Sequence, residues 1–503
     1  MKMTYIFCLF VTPLMAIPSW SLDARSSESL NRYVKPEFFQ AESLQKMEDY
    51  LFQKKSTIRT GALLIQKDGQ LIYERYDRGY KPSMKYKSWS MAKSVTGALI
   101  GIAEKKGLLH HAEPLSQFAN VFPELPPLKS KIKIQDFLQM SSGIEFREGY
   151  DDGPERSDVT AMLYRNGNPD TARYVLSRRQ IFLPGERFSY SSGDSNVLMA
   201  ALKGRLDKAS YDRFPFDSLF SPLGIDDVTF EQDKSGTFLG STHLFLKPRD
   251  FLKLGQLYLQ KGKWNDLQIV PAEWVEFQTR LNPGFYSPHR TPSARPYGAD
   301  LWLNIAVPEV SVTSPYPAIP ANSFLFLGYQ GQYIVVIPDE NMVIVRLADD
   351  DVSAGEESTH GPYMLASIMK AVGHSQVELP DVKVKIPGFN VQHDEYNPVT
   401  VLDPGWKFAT PQPQASLAKK LNVGSQFAAR EYCSCRWVIG QTHTFCKNLV
   451  HKLPSVPQFL YFQKFDVDEA NKSVTIQVLV SQKGVASVKG QRIGCQLDSV
   501  EKL

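Results

Sequence analysis

The sequence predicts an α+β fold in which one sheet is assembled from distant parts of the chain. Two β-hairpins are indicated, one within residues 61–76 and the other within residues 324–348, and the long stretch between them is mainly helical. Strands, then many helices, then strands again are typical of an α+β unit. With 503 residues, 43% hydrophobic and 22% charged, the chain is long enough for more than one compact unit.

Each predicted hairpin and helix has its own start or stop signal. In GALLIQKDGQLIYERY two apolar runs flank Asp68-Gly69, a dipeptide that favours a tight hairpin turn. In FLFLGYQGQYIVVIPDENMVIVRLA two β-rich runs flank the turn at residues 338–341. The helical stretches IKIQDFLQMSSG and PRDFLKLGQLYLQKG are each closed by a glycine just past the last apolar residue.

The first 21 residues have the pattern of a signal peptide. A short basic start precedes an apolar core from Ile6 to Ile17, and the small residues Ser19 and Ser21 follow. Prolines interrupt the core, and no later segment reaches the ~20 apolar residues of a transmembrane helix. We therefore expect an exported bacterial protein, periplasmic or secreted, with no stable membrane span after cleavage. A signal retained in the membrane is the alternative.

Composition excludes one class of partner. There are 57 Lys and Arg against 53 Asp and Glu, and no basic stripe with interleaved aromatic residues is present. Nucleic acid is therefore not expected as a partner. No organic cofactor and no metal are expected, and the oligomeric state is left open.

A small C-terminal unit, residues 417–503, is expected after a proline-rich linker at residues 387–416. The chain's cysteines outside the signal peptide all lie in this unit: Cys433, Cys435, Cys446 and Cys495. An even number in an exported protein indicates two disulfides, with three possible connectivities. A zinc site with His443 and His451 is the alternative, although Cys-x-Cys departs from the usual ligand spacing. A stabilising role is expected for the unit, with partner binding or shielding of a site as alternatives.

The segment SWSMAKSVTGAL, residues 88–99, places a serine three residues before a lysine at a helix start. Apolar residues recur at helical spacing until Gly107, so Ser90 and Lys93 lie on one face. The positive end of the helix dipole favours an alkoxide, and it opposes a protonated lysine, as burial also does. Lys93 could then lose its proton at a pH well below its usual pKa of ~10.4, and the neutral amine could activate Ser90. A cap serine followed by a surface lysine is the alternative.

Two later segments also carry candidate site residues. In PGERFSYSSGDSNVLMAAL, Tyr190 precedes a second helix, and Ser192 follows two residues later. Far downstream, the glycines of residues 328–332, Gly-Tyr-Gln-Gly-Gln, interrupt a strand and permit close approach of the backbone to a ligand. The structural alternatives are a core aromatic for Tyr190 and a helix cap for Ser192.

These three elements, in this order, resemble the serine β-lactamase and penicillin-binding-protein superfamily, in particular its class C-like and esterase branch. The resemblance runs from about Thr60 to Val372. It includes KIKIQDFLQMSSGIEF, FSPLGIDDVTF, KPRDFLKLGQLYLQKGKW and YGADLWLN, which are also similar to 6-aminohexanoate-dimer hydrolases. It implies a β-lactamase/transpeptidase-like fold for residues 30–386, an antiparallel sheet flanked by helices plus an all-helical subdomain.

The resemblance also implies roles for the candidate residues. Ser90 is the acylated nucleophile, Lys93 is the base or proton relay, and Tyr190 passes protons to the leaving group and later from water. Ser192 stands where the family has a supporting Asn or Ser. The expected substrate is therefore a small ester, amide or peptide that forms an acyl-enzyme.

The last of the three segments, residues 328–332, is called the third element below. It supplies backbone groups and departs from the family pattern. Gly331 matches the family glycine, and the N–H groups of Gln332 and Ser90 would form an oxyanion hole. β-Lactamases usually have Lys-Thr-Gly or His-x-Gly here, whereas this chain has Tyr329-Gln330-Gly331, whose first two residues are pocket candidates. Without the cation, a substrate carboxylate loses a contact worth about 1.5 to 3 kcal/mol.

Esterase or linear amidase chemistry is therefore expected. A β-lactamase or D-amino-acid peptidase, and a non-catalytic penicillin-recognising sensor, are the alternatives. Arg147, Arg156 or Arg346 could supply a charge from elsewhere, although a solvated surface role is expected for each. The polar segment REGYDDGPERSDVT is expected to overhang the pocket.

GDSN at residues 193–196 is similar to the motif that contains the nucleophilic serine in another lipase superfamily. That superfamily also has Asp-x-x-His near its C-terminus, and no histidine here follows an Asp at that spacing. A Gly-x-Ser-x-Gly elbow is likewise absent from the sequence. Ser195 is therefore interpreted as part of a helix start.

Overall fold

The computed structural model describes residues 31–53, 57–149, 157–165, 168–290, 294–350, 357–380, 417–451, 463–478 and 483–498. The predicted signal peptide, residues 1–21, and the predicted linker, residues 387–416, lie outside these ranges. Within these ranges, no helix has both the length and the apolar character needed to cross a bilayer.

The described residues form a long series of helices and strands. The helices are α1 Ala41–Leu51, α2 Met91–Lys105, α3 Ile134–Leu138, α4 Asp158–Tyr164, α5 Thr171–Leu176, α6 Ser192–Lys203, α7 Lys208–Pro215, α8 Pro248–Leu259, α9 Ala272–Gln278, α10 Glu357–Ala371, α11 Leu417–Cys433 and α12 His443–His451. The strands are β1 Arg32–Val34, β2 Thr60–Lys67, β3 Gln70–Tyr76, β4 Tyr86–Lys87, β5 Thr229–Phe230, β6 Leu244–Leu246, β7 Lys263–Trp264, β8 Leu267–Gln268, β9 Trp302–Leu303, β10 Phe324–Gly328, β11 Gln332–Ile337, β12 Met342–Ala348, β13 Gln463–Asp468, β14 Ser473–Val478, β15 Gly484–Gly490 and β16 Gly494–Leu497.

The main sheet is antiparallel and joins the two predicted hairpins. Its seven strands are ordered β1-β3-β2-β12-β11-β10-β9. The hairpin β2–β3 turns at Asp68 and Gly69, which both have positive φ. The hairpin β11–β12 turns at residues 338–341, and β12 pairs with β2 so that Met342 lies opposite Lys67. The prediction of an α+β fold with a sheet built from distant segments is confirmed.

Helices cover both faces of this sheet. Along β12, Met342 and Ile344 belong to the core formed with α1 and α10, whereas Val343 and Val345 belong to the core formed with α2 and α8. Burial on both faces explains why the strand is a continuous apolar run rather than an alternating one. Helix α6 contacts α2, α3, α4 and α5, so the N-termini of α2 and α6 are held within one helical layer.

The prediction that IKIQDFLQMSSG is a helix closed by Gly143 is wrong in its extent. Helix α3 ends at Leu138, and Met140 already has a left-handed φ of 53°. Gly143 has a φ of 75°, and a Cβ there would lie 2.2 Å from the Phe182 carbonyl oxygen. Its role is close packing of two loops. For α8 the prediction is confirmed, because the Gly262 N–H bonds to the Leu257 carbonyl at 2.8 Å just past the helix.

The C-terminal unit is a small α+β structure. Strands β13 to β16 form an antiparallel sheet in sequence order, and α11 packs across it. Disulfides join Cys433 to Cys495 and Cys435 to Cys446, so the disulfide prediction is confirmed and the zinc alternative is wrong. The sequence predicts a helix in SLAKKLNVGSQFAAREYC and strands in SVTIQVLVSQKG and VASVKGQRIGCQL, and α11 and β14 to β16 lie in these segments. Strand β13 and helix α12 are outside that prediction.

Candidate active site

Ser90 lies at the point where a strained loop enters helix α2. The Ser88 N–H bonds to the Leu244 carbonyl at 2.8 Å, which extends the pairing of β4 with β6 up to the loop. Trp89 then has a left-handed φ of 47°, an uncommon and costly conformation for a large side chain. Ser90 occupies the cap position, but its side chain makes no capping hydrogen bond. The cap-serine alternative is therefore wrong.

Lys93 is buried and surrounded by oxygen atoms. Its Nζ lies 2.9 Å from the Ser90 hydroxyl, 2.9 Å from the Ser192 hydroxyl and 3.1 Å from the Ser241 carbonyl. Burial lowers the pKa of Lys93 to about 8, while the negative charges of Glu148 and Asp300 act in the opposite direction. A substantial neutral fraction therefore exists near pH 8, and a surface position for this lysine is wrong.

Ser192 is the first residue of α6 and does not cap the helix. The cap is Ser191, whose hydroxyl accepts the N–H of Asp194. The Ser192 hydroxyl donates to one oxygen of Glu148, and its backbone N–H donates to the other oxygen at 2.7 Å. The helix-cap alternative for Ser192 is therefore wrong.

Glu148 is a residue of the site that sequence reasoning did not identify. It belongs to the polar segment predicted to overhang the pocket, of which residues 150–156 lie outside the described ranges. Burial raises the pKa of Glu148 overall, and Lys93 and the hydrogen bonds from Ser192 offset only part of this rise. A glutamate in a loop of mixed charges carries no periodicity that would show it pointing inward.

Tyr190 brings a phenol ring next to the Lys93 ammonium. The centroid of the ring lies 4.9 Å from Lys93 Nζ. The ring is only 6% exposed and packs against Trp302 and Tyr297, with centroid separations of 5.1 and 6.0 Å. The ring is thus both part of the core and a neighbour of Lys93.

The third element is shaped by a buried ion pair beneath it. Gln330 and Gly331 both have positive φ, 59° and 81°. A Cβ on Gly331 would lie 2.2 Å from both Arg346 Nη1 and Asp350 Oδ2. Arg346 is 2% exposed, donates to the Gly331 carbonyl at 3.0 Å and pairs with Asp350. Only glycine fits this position.

The sequence prediction for the candidate arginines is therefore partly wrong. Arg346 supports the turn from within the core, because a carboxylate two residues beyond β12 neutralises it. Arg147 keeps a side chain that is 39% exposed, as expected. Arg156 lies outside the described residues.

The remaining candidates of the third element lie beside the nucleophile loop. The Tyr329 ring packs edge-on against Trp89 with centroids 5.3 Å apart. Gln330 is buried, and its amide donates to Asp349 at 3.3 Å. The Gln332 side chain accepts the Ala348 N–H and donates to the Ala348 carbonyl, which ties the start of β11 to the end of β12.

One group of described residues could hold a metal ion, and it lies far from Ser90. Glu104, His110 and His111 place their ligating atoms within 4.8 Å of one another. They cluster at the end of α2, roughly 20 Å along the helix from its start. His111 Nδ1 already lies 2.9 Å from Glu104, so the pair is satisfied without an ion.

Comparison with known proteins identifies the family to which the sequence is similar. The sequence model of the Beta-lactamase family matches residues 48–367. The 6-aminohexanoate-dimer hydrolase of Paenarthrobacter ureafaciens is 25% identical over 299 residues, covering 58% of this chain and 72% of that protein.

Solved structures share the fold. A protein of Bacillus anthracis assigned as a 6-aminohexanoate-dimer hydrolase superposes with a TM-score of 0.50 and 22% identity, covering 65% of this chain and 81% of that one. EstCE1, a hydrolase with promiscuous acyltransferase activity, gives a TM-score of 0.51 and 15% identity over 66% and 98% of the two chains. Since the family match spans more than half of the sequence, the chain is a member of the Beta-lactamase family of serine hydrolases, with the β-lactamase/transpeptidase-like fold.

Proposed function

We propose that this hydrolase cleaves an ester or a linear amide bond through an acyl-enzyme on Ser90. Lys93 is the base that activates Ser90, and Tyr190 transfers protons to the leaving group and from the attacking water. The backbone N–H groups of Ser90 and Gln332 stabilise the oxyanion.

The distribution of hydrogen atoms around Lys93 carries this proposal. Ser192 gives its hydroxyl hydrogen to Glu148, so it can only accept from Lys93. The Ser241 carbonyl is also only an acceptor. A neutral amine has two hydrogen atoms and one lone pair, and these two oxygens take both hydrogens. The lone pair is then left for the remaining neighbour, the Ser90 hydroxyl at 2.9 Å.

The reaction follows from that placement. As Ser90 Oγ attacks the substrate carbonyl carbon, its proton passes to the Lys93 lone pair. Collapse of the tetrahedral intermediate expels the leaving group, which takes a proton delivered through Tyr190. Water then attacks the acyl-enzyme by the same route in reverse, which releases the acid and restores the Ser90 hydroxyl.

The surroundings of the third element support an ester or linear amide rather than a β-lactam. The position where relatives present a cation is occupied by Tyr329 and Gln330. The nearby Arg346 is committed to Asp350 and to the Gly331 carbonyl, so its charge is already neutralised. Recognition of a substrate carboxylate would lack the charge-assisted hydrogen bond that strengthens such contacts.

The test is covalent labelling combined with turnover. Wild-type protein should hydrolyse a p-nitrophenyl ester and form a fluorophosphonate adduct on Ser90, identified by peptide mass spectrometry. Ser90→Ala should abolish both without lowering the melting temperature. Ser195→Ala, the serine of the GDSN block within α6, is the matched control and should keep the activity. An adduct elsewhere, or turnover by Ser90→Ala, would refute the proposal.

The same assay with β-lactams and D-amino-acid amides as substrates separates the alternative functions. Rapid turnover of β-lactams or D-amino-acid amides would identify a β-lactamase or a peptidase. A slowly formed and long-lived β-lactam adduct, without turnover of any ester or amide, would identify a sensor.

We also propose that the protein is exported, to the periplasm or beyond the cell. The N-terminal pattern and the two disulfides support this location, because structural disulfides persist in oxidising compartments. Cell fractionation with N-terminal sequencing of the mature protein tests it. An uncleaved N-terminus in the cytoplasmic fraction would contradict it.

A further inference from the structure

The C-terminal unit touches the chain segments that hold Ser90 and Lys93. Glu431, near the end of α11, is 5% exposed and lies against the main unit. One of its oxygens accepts hydrogen bonds from Lys87 Nζ at 2.6 Å and from the Tyr164 hydroxyl at 2.8 Å. His243 Nε2 lies 3.3 Å from the same oxygen. A single carboxylate from the small unit therefore joins β4, α4 and the loop that precedes β6 in the main unit.

The first of these contacts leads to the nucleophile. Lys87 ends strand β4, three residues before Ser90, and its side chain is 8% exposed. Its Nζ lies 3.7 Å from the centroid of the Trp89 ring. Trp89 is the residue with left-handed φ that sets the entry of the chain into α2. The pair Glu431–Lys87 thus rests directly on the strained residue that precedes Ser90.

The second contact leads to Lys93. His243 is fully buried and also has a left-handed φ, 56°. Two residues before it, the Ser241 carbonyl accepts a hydrogen bond from Lys93 Nζ at 3.1 Å. A shift of the His243 segment would therefore move one of the two acceptors that orient the Lys93 lone pair. Trp89 and His243, two residues with left-handed φ next to the site, therefore both contact the cluster around Glu431.

The cluster is buried, and its carboxylate stays charged. Burial alone would raise the pKa of Glu431, but Lys87 and His243 lower it overall, so the carboxylate is ionised at neutral pH. The neighbouring Arg430 forms a second buried pair with Glu231, and both side chains are 0% exposed. A small cavity between the units is lined by Lys87, Trp89, Gln330, Gln332 and Glu431, so the third element borders the same contact.

We propose that Glu431 is a positioning residue for the Ser90–Lys93 pair: by holding Lys87 and the His243 segment, it fixes the two left-handed residues that aim the nucleophile and its base. This inference rests on the proposed function of Ser90. It assigns the C-terminal unit a role in catalysis beyond stabilising the fold. The polar partners of Glu431 are Lys87, Tyr164 and His243, and none of them is a reacting group of the proposed mechanism.

The central experiment uses the full chain with Glu431→Gln. This change keeps the size of the side chain and weakens its hold on Lys87. Because small displacements of reacting groups are costly, we expect kcat for a p-nitrophenyl ester and the rate of fluorophosphonate labelling of Ser90 to fall roughly ten- to hundred-fold. KM should change less than kcat, since Glu431 makes its polar contacts with Lys87, Tyr164 and His243 rather than with a pocket candidate. The acidic limb of the pH profile should move upward as water reaches Lys93.

Two comparison variants separate positioning from stability. Glu469→Gln removes an exposed carboxylate of the same unit, paired with Arg436 at 2.9 Å, and should leave kinetics and pH profile unchanged. The double variant Lys87→Met, Glu431→Leu strands no buried charge, so it should regain stability while its labelling rate stays low.

The outcomes are distinguishable. If wild-type protein labels at Ser90 and the Glu431 variants label at the wild-type rate with an unmoved acidic limb, the positioning role is refuted and the proposed function stands. Recovery of full activity in the double variant would also refute it, because Glu431 would then only neutralise Lys87. Absence of any wild-type adduct on Ser90 would refute both proposals.

Discussion

The charge of Glu148 should set the pH at which the enzyme becomes active. Lys93 and Glu148 both lie within hydrogen-bond distance of the Ser192 hydroxyl, so their charges are roughly 5 Å apart. At an effective dielectric constant of ~20 this separation corresponds to about 3 kcal/mol in favour of protonated Lys93. That energy is equivalent to about two pH units. The negative charge of Glu148 therefore opposes the burial that lowers the pKa of Lys93 to about 8.

Glu148→Gln removes this charge and leaves burial to act with less opposition. The active form of Lys93 is the neutral amine, so activity rises with pH through its pKa. Lowering that pKa should shift the acidic limb of kcat/KM from near pH 8 toward pH 6, a displacement of about two units. The plateau should also fall, because Ser192 loses its anionic acceptor. The midpoint of the limb, rather than its height, is thus the diagnostic quantity.

The assay is a pH–rate profile with a p-nitrophenyl ester between pH 5 and 10, the range in which this shift would lie. Glu186→Gln is a matched control, since that carboxylate accepts a local backbone N–H from Leu183 and is distant in sequence from Lys93. Its profile should coincide with that of the wild type. A limb for Glu148→Gln that stays at the wild-type position or moves upward would refute the reasoning.

Three further predictions concern stability and are measured by urea unfolding. Gly79 and Gly331 have the same φ of 81°, but an added Cβ meets packed atoms only at Gly331. Gly331→Ala should therefore lower the free energy of unfolding by about 2 kcal/mol more than Gly79→Ala does, and it should also lower activity. Arg430→Met should cost about 3 to 5 kcal/mol by stranding Glu231, and a cost below 1 kcal/mol would contradict burial of the pair. The paired replacement Arg430→Met, Glu231→Leu should restore only part of this, because the Ser434 hydroxyl and the Cys495 N–H then lose their acceptor. Removing the Cys433–Cys495 disulfide should cost about 4 kcal/mol, as expected for a separation of 62 residues, and an unchanged unfolding midpoint would contradict this.

Features with local signals were predictable from the sequence. A few neighbouring residues determine each of three such features. These are the turn at Asp68-Gly69, the spacing of apolar residues in α2, and the position of Tyr190 just before α6. The resemblance of the three segments to the superfamily then implied which side chains would meet. The distance from Lys93 to Ser90 agrees with that expectation.

Features that depend on tertiary contacts were not predictable. Glu148 points inward because Ser192 binds it, and nothing within its own loop indicates this. Arg346 interrupts an apolar strand, and the sequence pattern therefore predicts a surface residue. In the fold it is buried because it pairs with Asp350. Glu431 lies on a helix whose periodicity predicts a buried face but not the lysine of another unit that it meets there.

The pairing of β2 with β12 also constrains how the molecule can be made. A nascent chain that has completed the first hairpin presents an open strand edge until the residues from Met342 onward emerge to cover it. Such long-range closure slows folding. A truncated product ending before β12 would keep the unpaired backbone edge of β2 exposed. Premature termination should therefore yield aggregates rather than a partly active enzyme.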